Sequence, residues 1–342
     1  MAAQATTKEG TSARSSSSII PSESENHGNQ SSSDDVSQQL PSREGWSEPL
    51  VLYKNYWLRP RFASTIARLH NNFKPRHDDT ILASNPKCGT TWLKALAFAV
   101  TTQSRSRYGN DLATDHPLLS RHPQELVPFI EVPLDGDLAQ LEALPSPRLL
   151  STHMPLSMLF PDTTTIASRV VYVCREPKDA FVSRWHFENR IVKGYSVGLE
   201  AALDMFVEGF SPYGPFWDHC LEYWRASVAS PDRVLFLKYE DMMAEPVMHV
   251  VKLAAFLGVP FTAEEEEAGV PEQVVGLCSF DTLSGAYRTG DFVRRNGGVV
   301  LEKSVFFRKG KVGDWVNHMT QDMGSKIDRV VEEKLKGSGL VF

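Results

Sequence analysis

Between Thr80 and Trp92 the chain reads T-I-L-A-S-N-P-K-C-G-T-T-W. An apolar, strand-like stretch (Ile81 to Ala83) meets a turn at Asn85-Pro86, and Lys87, Gly89, Thr90 and Thr91 follow at once. Trp92 to Ala99 then reads as a helix. A strand feeding a short loop of Lys, Gly and Thr at a helix start can cradle a phosphate. The N–H groups of the first turn and the positive end of the helix dipole face one anionic spot. The chemistry implied is binding of a phosphorylated small molecule. Taken alone, the loop is also compatible with an ordinary turn and helix cap.

The details of the loop narrow the reading. A P-loop NTPase carries G-x-x-x-x-G-K-[ST], with Ser or Thr after the Lys holding Mg²⁺. Here Lys87 precedes the glycine and Cys88 follows the lysine. The buried-strand pattern of Arg169 to Cys174 runs into Arg175, where an NTPase places a metal-binding Asp. An arginine repels Mg²⁺ and attracts a second anionic group. The two sites suggest a nucleotide with two separated phosphates and no obligatory metal.

The elements that must hold these residues alternate. Apolar runs at Ile81–Ala83, Leu149–His153, Val170–Cys174 and Val234–Tyr239 read as strands. Helical patterns cover Arg61–Leu69, Trp92–Ala99, Lys178–Arg190, Ala201–Phe210, Phe216–Val228, Pro246–Leu257 and Glu264–Gly276. Continuous rather than alternating apolar strands, separated by helices, predict an α/β fold with three layers: a central parallel sheet flanked by helices, P-loop-like. Gly285 to Val300 reads as a mobile loop.

The chain has 342 residues, 42% hydrophobic, with a net charge of −6. That balance argues against a nucleic-acid binder with a broad basic face, and no apolar stretch is long enough to span a bilayer. The four cysteines, Cys88, Cys174, Cys220 and Cys278, form no C-x-x-C pair and suit a reducing compartment. Cys88, Cys174 and Cys278 read as inert core residues; the alternative is that Cys88, beside Lys87 at a helix start, is a reactive thiol of lowered pKa. Residues 1–45 are rich in Ser, Gln, Asn and acids, too polar to form a core, and read as a disordered tail. The acids Glu9, Glu23, Glu25, Asp34 and Asp35 there count against a transit peptide. Residues 46–342 are the expected folded domain.

Three segments in order, P-K-C-G-T-T-W from Pro86, R-E-P-K-D-A-F-V-S from Arg175 and R-K-G-K-V-G-D-W from Arg308, resemble the soluble sulfotransferases that use 3′-phosphoadenylyl sulfate (PAPS). L-K-Y-E-D from Leu237 adds to the match, and the plant-type enzymes acting on small metabolites are the most similar. The resemblance implies donor contacts at Lys87, Cys88, Gly89, Thr90, Thr91 and Trp92. It puts the 3′-phosphate on Arg175, Ser183, Arg308, Lys309 and Gly310, stacks the adenine on Trp92 and Phe280, and gives Tyr239 and Ser279 adenine and phosphate contacts. Lys87 would stabilise the leaving group and His153, in S-T-H-M-P, would be the general base. His116, His122, His219, His249 and His318 read as structural.

The same resemblance places Tyr53, Trp57, Phe129, Glu131, His186 and Phe187 around a small hydroxylated acceptor, with Gly285 to Gly298 shaping its selectivity. The acceptor class stays open among flavonoids, steroids, hydroxylated fatty-acid hormones and thiohydroximates. No metal, membrane or nucleic-acid partner is implied, the location is cytoplasmic, and the state is a monomer or weak homodimer. Cys88 replaces the family's usual Ser. Ser151 stands where animal enzymes have Lys, and the animal-type C-terminal dimer motif is not recognisable around His318–Met323. A small-molecule kinase and an inactive nucleotide-binding scaffold are the rival readings.

Overall fold

The computed structural model describes residues 35–101, 116–131, 138–160, 166–287, 292–294 and 300–342. The first sheet is antiparallel: β1 (Ser42–Arg43), β2 (Leu50–Tyr53) and β3 (Tyr56–Leu58). β1 falls within the expected tail, and a helical turn, Asp35–Gln38, precedes it. Regular structure therefore begins ahead of Trp46. The reason is local: Ser42 and Arg43 pair with Val51 and Leu50, Pro41 O accepts from Leu52 N at 2.8 Å, and Leu40 packs on the core. A composition averaged over the whole segment conceals that anchor. Residues 1–34 lie outside the described residues.

The second sheet is parallel throughout, with β4 (Thr80–Ala83), β5 (Leu149–Thr152), β6 (Arg169–Cys174) and β7 (Val234–Lys238) in the order β5-β4-β6-β7. Phe129 extends the β5 edge by a single parallel bridge to Ser151. Side chains alternate across a strand, and here both faces are covered. Ile81, Ala83, Val170, Tyr172 and Cys174 enter one core with the helices Pro60–Asn72, Pro177–Ile191 and Phe216–Ala229. Leu82, Val171, Val173, Leu235 and Leu237 enter the other with Thr90–Val100, Pro246–Phe256 and Val270–Leu277. This is the three-layer α/β arrangement expected from the apolar strands.

The N-terminal ends of the strands are tied together. Arg148, just before β5, is fully buried and donates to both carboxylate oxygens of Asp79, just before β4, at 2.8 and 2.6 Å. Asp79 O in turn accepts from Arg169 N at 3.0 Å, at the start of β6. Removing one partner of such a buried pair costs about 3–5 kcal/mol. The opposite, C-terminal ends open on a cavity.

Two expected elements differ. The helix expected over Glu264–Gly276 is two helices, Ala263–Glu267 and Val270–Leu277, because Gly269 adopts φ 69° and ends the first. The expected loop from Gly285 begins as the end of the Phe280–Ala286 helix. It then contains β8 (Phe292–Arg294), antiparallel to β9 (Val300–Glu302). Residues 288–291 and 295–299 of that stretch lie outside the described residues. Among the described residues no helix is long and apolar enough to cross a membrane.

Candidate active site

Each parallel strand delivers a cavity residue at its C-terminal end: Lys87 in the loop after β4, His153 after β5, Arg175 after β6 and Tyr239 after β7. In open α/β sheets the crevice beyond the strand ends is where ligands bind. The cavity has a volume of about 350 Å³. Its basic residues are Arg59, Lys87, Arg175, Arg184, Arg308 and Lys309, against the carboxylate Glu188. A chain of net negative charge thus concentrates positive charge where a polyanion would sit.

The loop after β4 is tightly shaped. Lys87 adopts φ 78°, uncommon for a residue with a side chain, and its Nζ lies 4.1 Å from the Phe187 ring centroid. Gly89 has φ 104°, and a Cβ there would sit 2.8 Å from the Tyr239 ring. Only glycine meets both demands, so the backbone can start the Thr90–Val100 helix with its N-terminus turned to the cavity. Two side chains hold the loop from behind. Asn85 Nδ2 donates to Tyr213 O at 3.2 Å, and Arg184 Nη2 donates to Pro212 O at 3.2 Å and Pro86 O at 3.4 Å.

Arg175 is buried, with its guanidinium 4.6 Å from the Tyr239 ring centroid. Its Nη2 donates to Lys311 O at 2.8 Å and to Asp179 Oδ2 at 3.3 Å. Its Nε is buried without a hydrogen-bond partner among the described residues. An unpaired N–H of a cation at a cavity wall fits an anionic oxygen. Asp179 sits in the first turn of Pro177–Ile191, where Pro177 and the Glu176 cap start the helix. Its carboxylate accepts from Gly313 N at 2.7 Å and Trp315 N at 2.9 Å. One acid therefore fastens the C-terminal segment across the cavity and brings Arg308, Lys309 and Gly310 to its wall. Gly310, at φ 62°, lies so close to Phe280 that an added Cβ would collide with the ring. Arg308 pairs with Asp314, which also accepts from Asn317 and His318; these partners outweigh partial burial and hold its carboxyl down at about 2.

His153 is positioned by backbone and ring contacts. Its Nδ1 lies 2.9 Å from Ser84 O, a carbonyl that can only accept, so Nδ1 carries the proton and Nε2 of the neutral ring is the acceptor. The ring packs between Phe129 and Tyr213, at 4.8 and 5.5 Å between centroids. Its backbone N donates to Glu131 Oε1 at 2.6 Å and its carbonyl accepts from His219 Nε2 at 2.9 Å. Glu131 is fully buried; desolvation raises its pKa, while bonds from His153 N and Thr152 Oγ1 oppose that.

Lys87, Gly89, Thr90, Thr91, Trp92, His153, Arg175, Ser183, Phe187, Tyr239, Ser279, Phe280, Arg308, Lys309 and Gly310 all line the cavity. Six expected site residues do not. Cys88 turns into the core beneath the loop. Tyr53 and Trp57 pack against the same core, Trp57 edge-on to Phe210 at 4.8 Å. Phe129 and Glu131 stand one layer back, supporting His153. His186 lies against His318 at 4.7 Å; desolvation and the neighbouring Arg308 and His318 lower its pKa to about 4. Arg59, Phe62, Gln124, Arg184 and Tyr213 line the cavity unforeseen. The turn sequence Ser-Pro-Tyr-Gly-Pro, where Tyr213 takes φ 62°, was the available signal for one of them.

Of the two thiol readings, the inert one fits the structure. Burial pushes Cys88 up to about 12 and Cys278 above the usual thiol range, and Cys174 rises for the same reason. Arg175 and Arg184 pull Cys88 down, yet desolvation outweighs them. Among the described residues no cluster of three or more His, Cys, Asp or Glu is gathered to hold a metal.

A sulfotransferase domain model matches residues 77–339. Cytosolic sulfotransferase 17 of Arabidopsis thaliana is 42% identical over 331 residues, covering 95% of this chain and 93% of that protein. Cytosolic sulfotransferase 16 of the same plant is 43% identical over 311 residues, covering 88% and 90%. An Arabidopsis structure described as a putative steroid sulphotransferase superposes with a TM-score of 0.71 at 32% identity, over 95% of this chain and 100% of that one. A mouse sulfotransferase complexed with PAP gives 0.66 at 25% identity, over 84% and 95%. With a domain model matching most of its length and relatives this similar, the chain belongs to the sulfotransferase family and is an enzyme of the plant cytosolic type.

Proposed function

We propose that this enzyme moves a sulfuryl group from PAPS to a hydroxyl of a small acceptor in the cytoplasm, leaving adenosine 3′,5′-bisphosphate (PAP). The observation that carries the reading is the convergence of Lys87, His153, Arg175 and Tyr239 from four adjacent strand ends on one cavity. The first turn of Thr90–Val100 receives the 5′-phosphate. Arg175, Ser183, Arg308 and Lys309 receive the 3′-phosphate, and the unpaired Arg175 Nε supports that assignment. Trp92 and Phe280 bound the adenine. Lys87 places positive charge where it builds on the leaving oxygen, a contribution larger in the transition state than before it. His153 Nε2 takes the acceptor proton. Arg59, Phe62, Phe187 and Tyr213 shape the acceptor end as an apolar slot with a charged rim. Lysine, arginine and backbone N–H groups supply the positive charge this reading needs, so no step uses a metal.

The test is a screen of hydroxylated metabolites with radiolabelled PAPS, with and without chelator. Labelled sulfate ester formed equally in both arms is expected. PAP binding with no transfer to any acceptor would favour the inactive scaffold. Mg²⁺-dependent transfer of phosphate from ATP would favour the kinase.

A further inference from the structure

Lys94 is fully buried, yet it lies only one turn into the Thr90–Val100 helix. Its side chain leans toward the positive helix end, as helical side chains do. A cation there meets both desolvation and the dipole, and the buried Glu131 carboxylate is near enough for its charge to offset part of that cost. Two neutral oxygens accept from its Nζ: Gln124 Oε1 at 2.5 Å and Val127 O at 3.0 Å. Nζ also lies 3.4 Å from the Phe129 ring centroid, and the Phe129 ring packs on His153.

Gln124 is a cavity residue held by its own backbone, whose N donates to His122 Nδ1 at 3.1 Å in a capped turn. Its amide has one acceptor end and one donor end. Because the ammonium takes Oε1, Nε2 must face the other way, and it donates to Thr91 Oγ1 at 3.2 Å. A hydroxyl that accepts from an amide keeps its own proton to give. Thr91 lines the cavity on the first turn of the helix.

We propose that Lys94 is a positioning residue for the sulfuryl donor. Through Gln124 it fixes the Thr91 hydroxyl as a donor toward the 5′-phosphate, a relay of ammonium, amide and hydroxyl all pointing the same way. The same cation braces Phe129 behind His153, so the donor loop and the base rest on one buried group. This inference rests on the PAPS reading above and names the device that orients one of its phosphate contacts.

The experiment compares PAP affinity by calorimetry, KM for PAPS and for acceptor, and thermal midpoint. The variants are Lys94→Met, Gln124→Leu, their double and Gln124→Glu. Lys94→Met and Gln124→Leu should each weaken PAP by about tenfold and raise KM for PAPS while KM for acceptor holds. The double should lose no more than either single, because both cut the same relay. Gln124→Glu keeps the oxygen that faces Lys94 but turns the donor facing Thr91 into an acceptor. Its thermal midpoint should hold or rise while PAP affinity falls at least as far as in Gln124→Leu. Wild-type PAP affinity in Gln124→Glu, or multiplying losses in the double, would overturn the relay while leaving the PAPS reading intact. A wild-type enzyme that binds no PAP would overturn both. If Lys94→Met does not fold, the Gln124 variants decide the matter.

Discussion

The carbonyl of Ser84, the first residue past β4, lies 2.9 Å from Nδ1 of His153, the first residue past β5. Neighbouring parallel strands thus fix the tautomer of the imidazole with a backbone acceptor, which no side-chain substitution at Ser84 removes. The consequence is an imidazole whose Nε2 lone pair is preset, as the proposed general base requires. His153→Ala should reduce kcat by about 10²–10⁴-fold with PAP affinity nearly unchanged. Stopped-flow or discontinuous sulfation assays, paired with calorimetry, check both halves. Near-normal turnover would remove His153 from the mechanism.

Arg175 presents an Nε that is unpaired among the described residues, while Nη2 is held by Lys311 O and Asp179. Wild type should therefore prefer PAP over AMP by a wide margin. Arg175→Ala should abolish most of that preference, a loss of about 2–5 kcal/mol for a buried charge-assisted contact. Competition calorimetry with the two nucleotides reads the difference directly, and equal wild-type affinities would rule out the 3′-phosphate site.

Cys88 is fully buried and its thiol is pushed up to about 12. At pH 8 the folded enzyme should resist iodoacetamide for hours and become modified only in denaturant. Cys88→Ser, although it restores the residue common in the family, should not be needed for protection. Rapid inactivation that PAP prevents would show that the loop opens and exposes the sulfur.

Acid stability follows from His219. Burial lowers its pKa to about 4, and with Nε2 donating to His153 O its Nδ1 accepts from Tyr172 at 2.9 Å. Between about pH 4 and the unfolded value near 6.5, the unfolded chain binds a proton that the folded one refuses. Stability is thus fully present above 6.5 and falls as pH drops through this window, by up to about 1.4 kcal/mol per pH unit. His186, lowered in the same direction, adds to the slope. Urea midpoints at pH 7.5, 6.0 and 5.0 (roughly spanning the window) should decline less in His219→Gln than in wild type. Parallel declines would exclude His219 as a source.

Much of the cavity lining was legible because its residues sit where local rules are strong. Lys87, Arg175 and Tyr239 each follow an apolar strand, and a strand end next to a helix start fixes where the next side chain goes. The placement of the residues expected around an acceptor was not. Phe129 and Glu131 are a single bridge and a turn beside β5, one layer behind the cavity, and nothing local distinguishes first layer from second. Arg59 and Tyr213 reach the cavity through long-range contacts, such as Tyr213 N donating to Trp57 O at 2.7 Å. Cys88 misled for a different reason: its chemistry depends on which way the loop turns it, and φ 78° at Lys87 buries it.

The strands hand over to the site without slack, Thr152 to His153, Cys174 to Arg175 and Lys238 to Tyr239. One residue inserted at any of these joints would carry the next side chain about 3.3 Å along the strand and onto the other face. Such an insertion is lethal to the site even when every contact in the core survives. Divergence in length should therefore gather far from these joints, in the middle of the connections. Aligned relatives that keep activity should show no gap between a parallel strand and the residue that follows it.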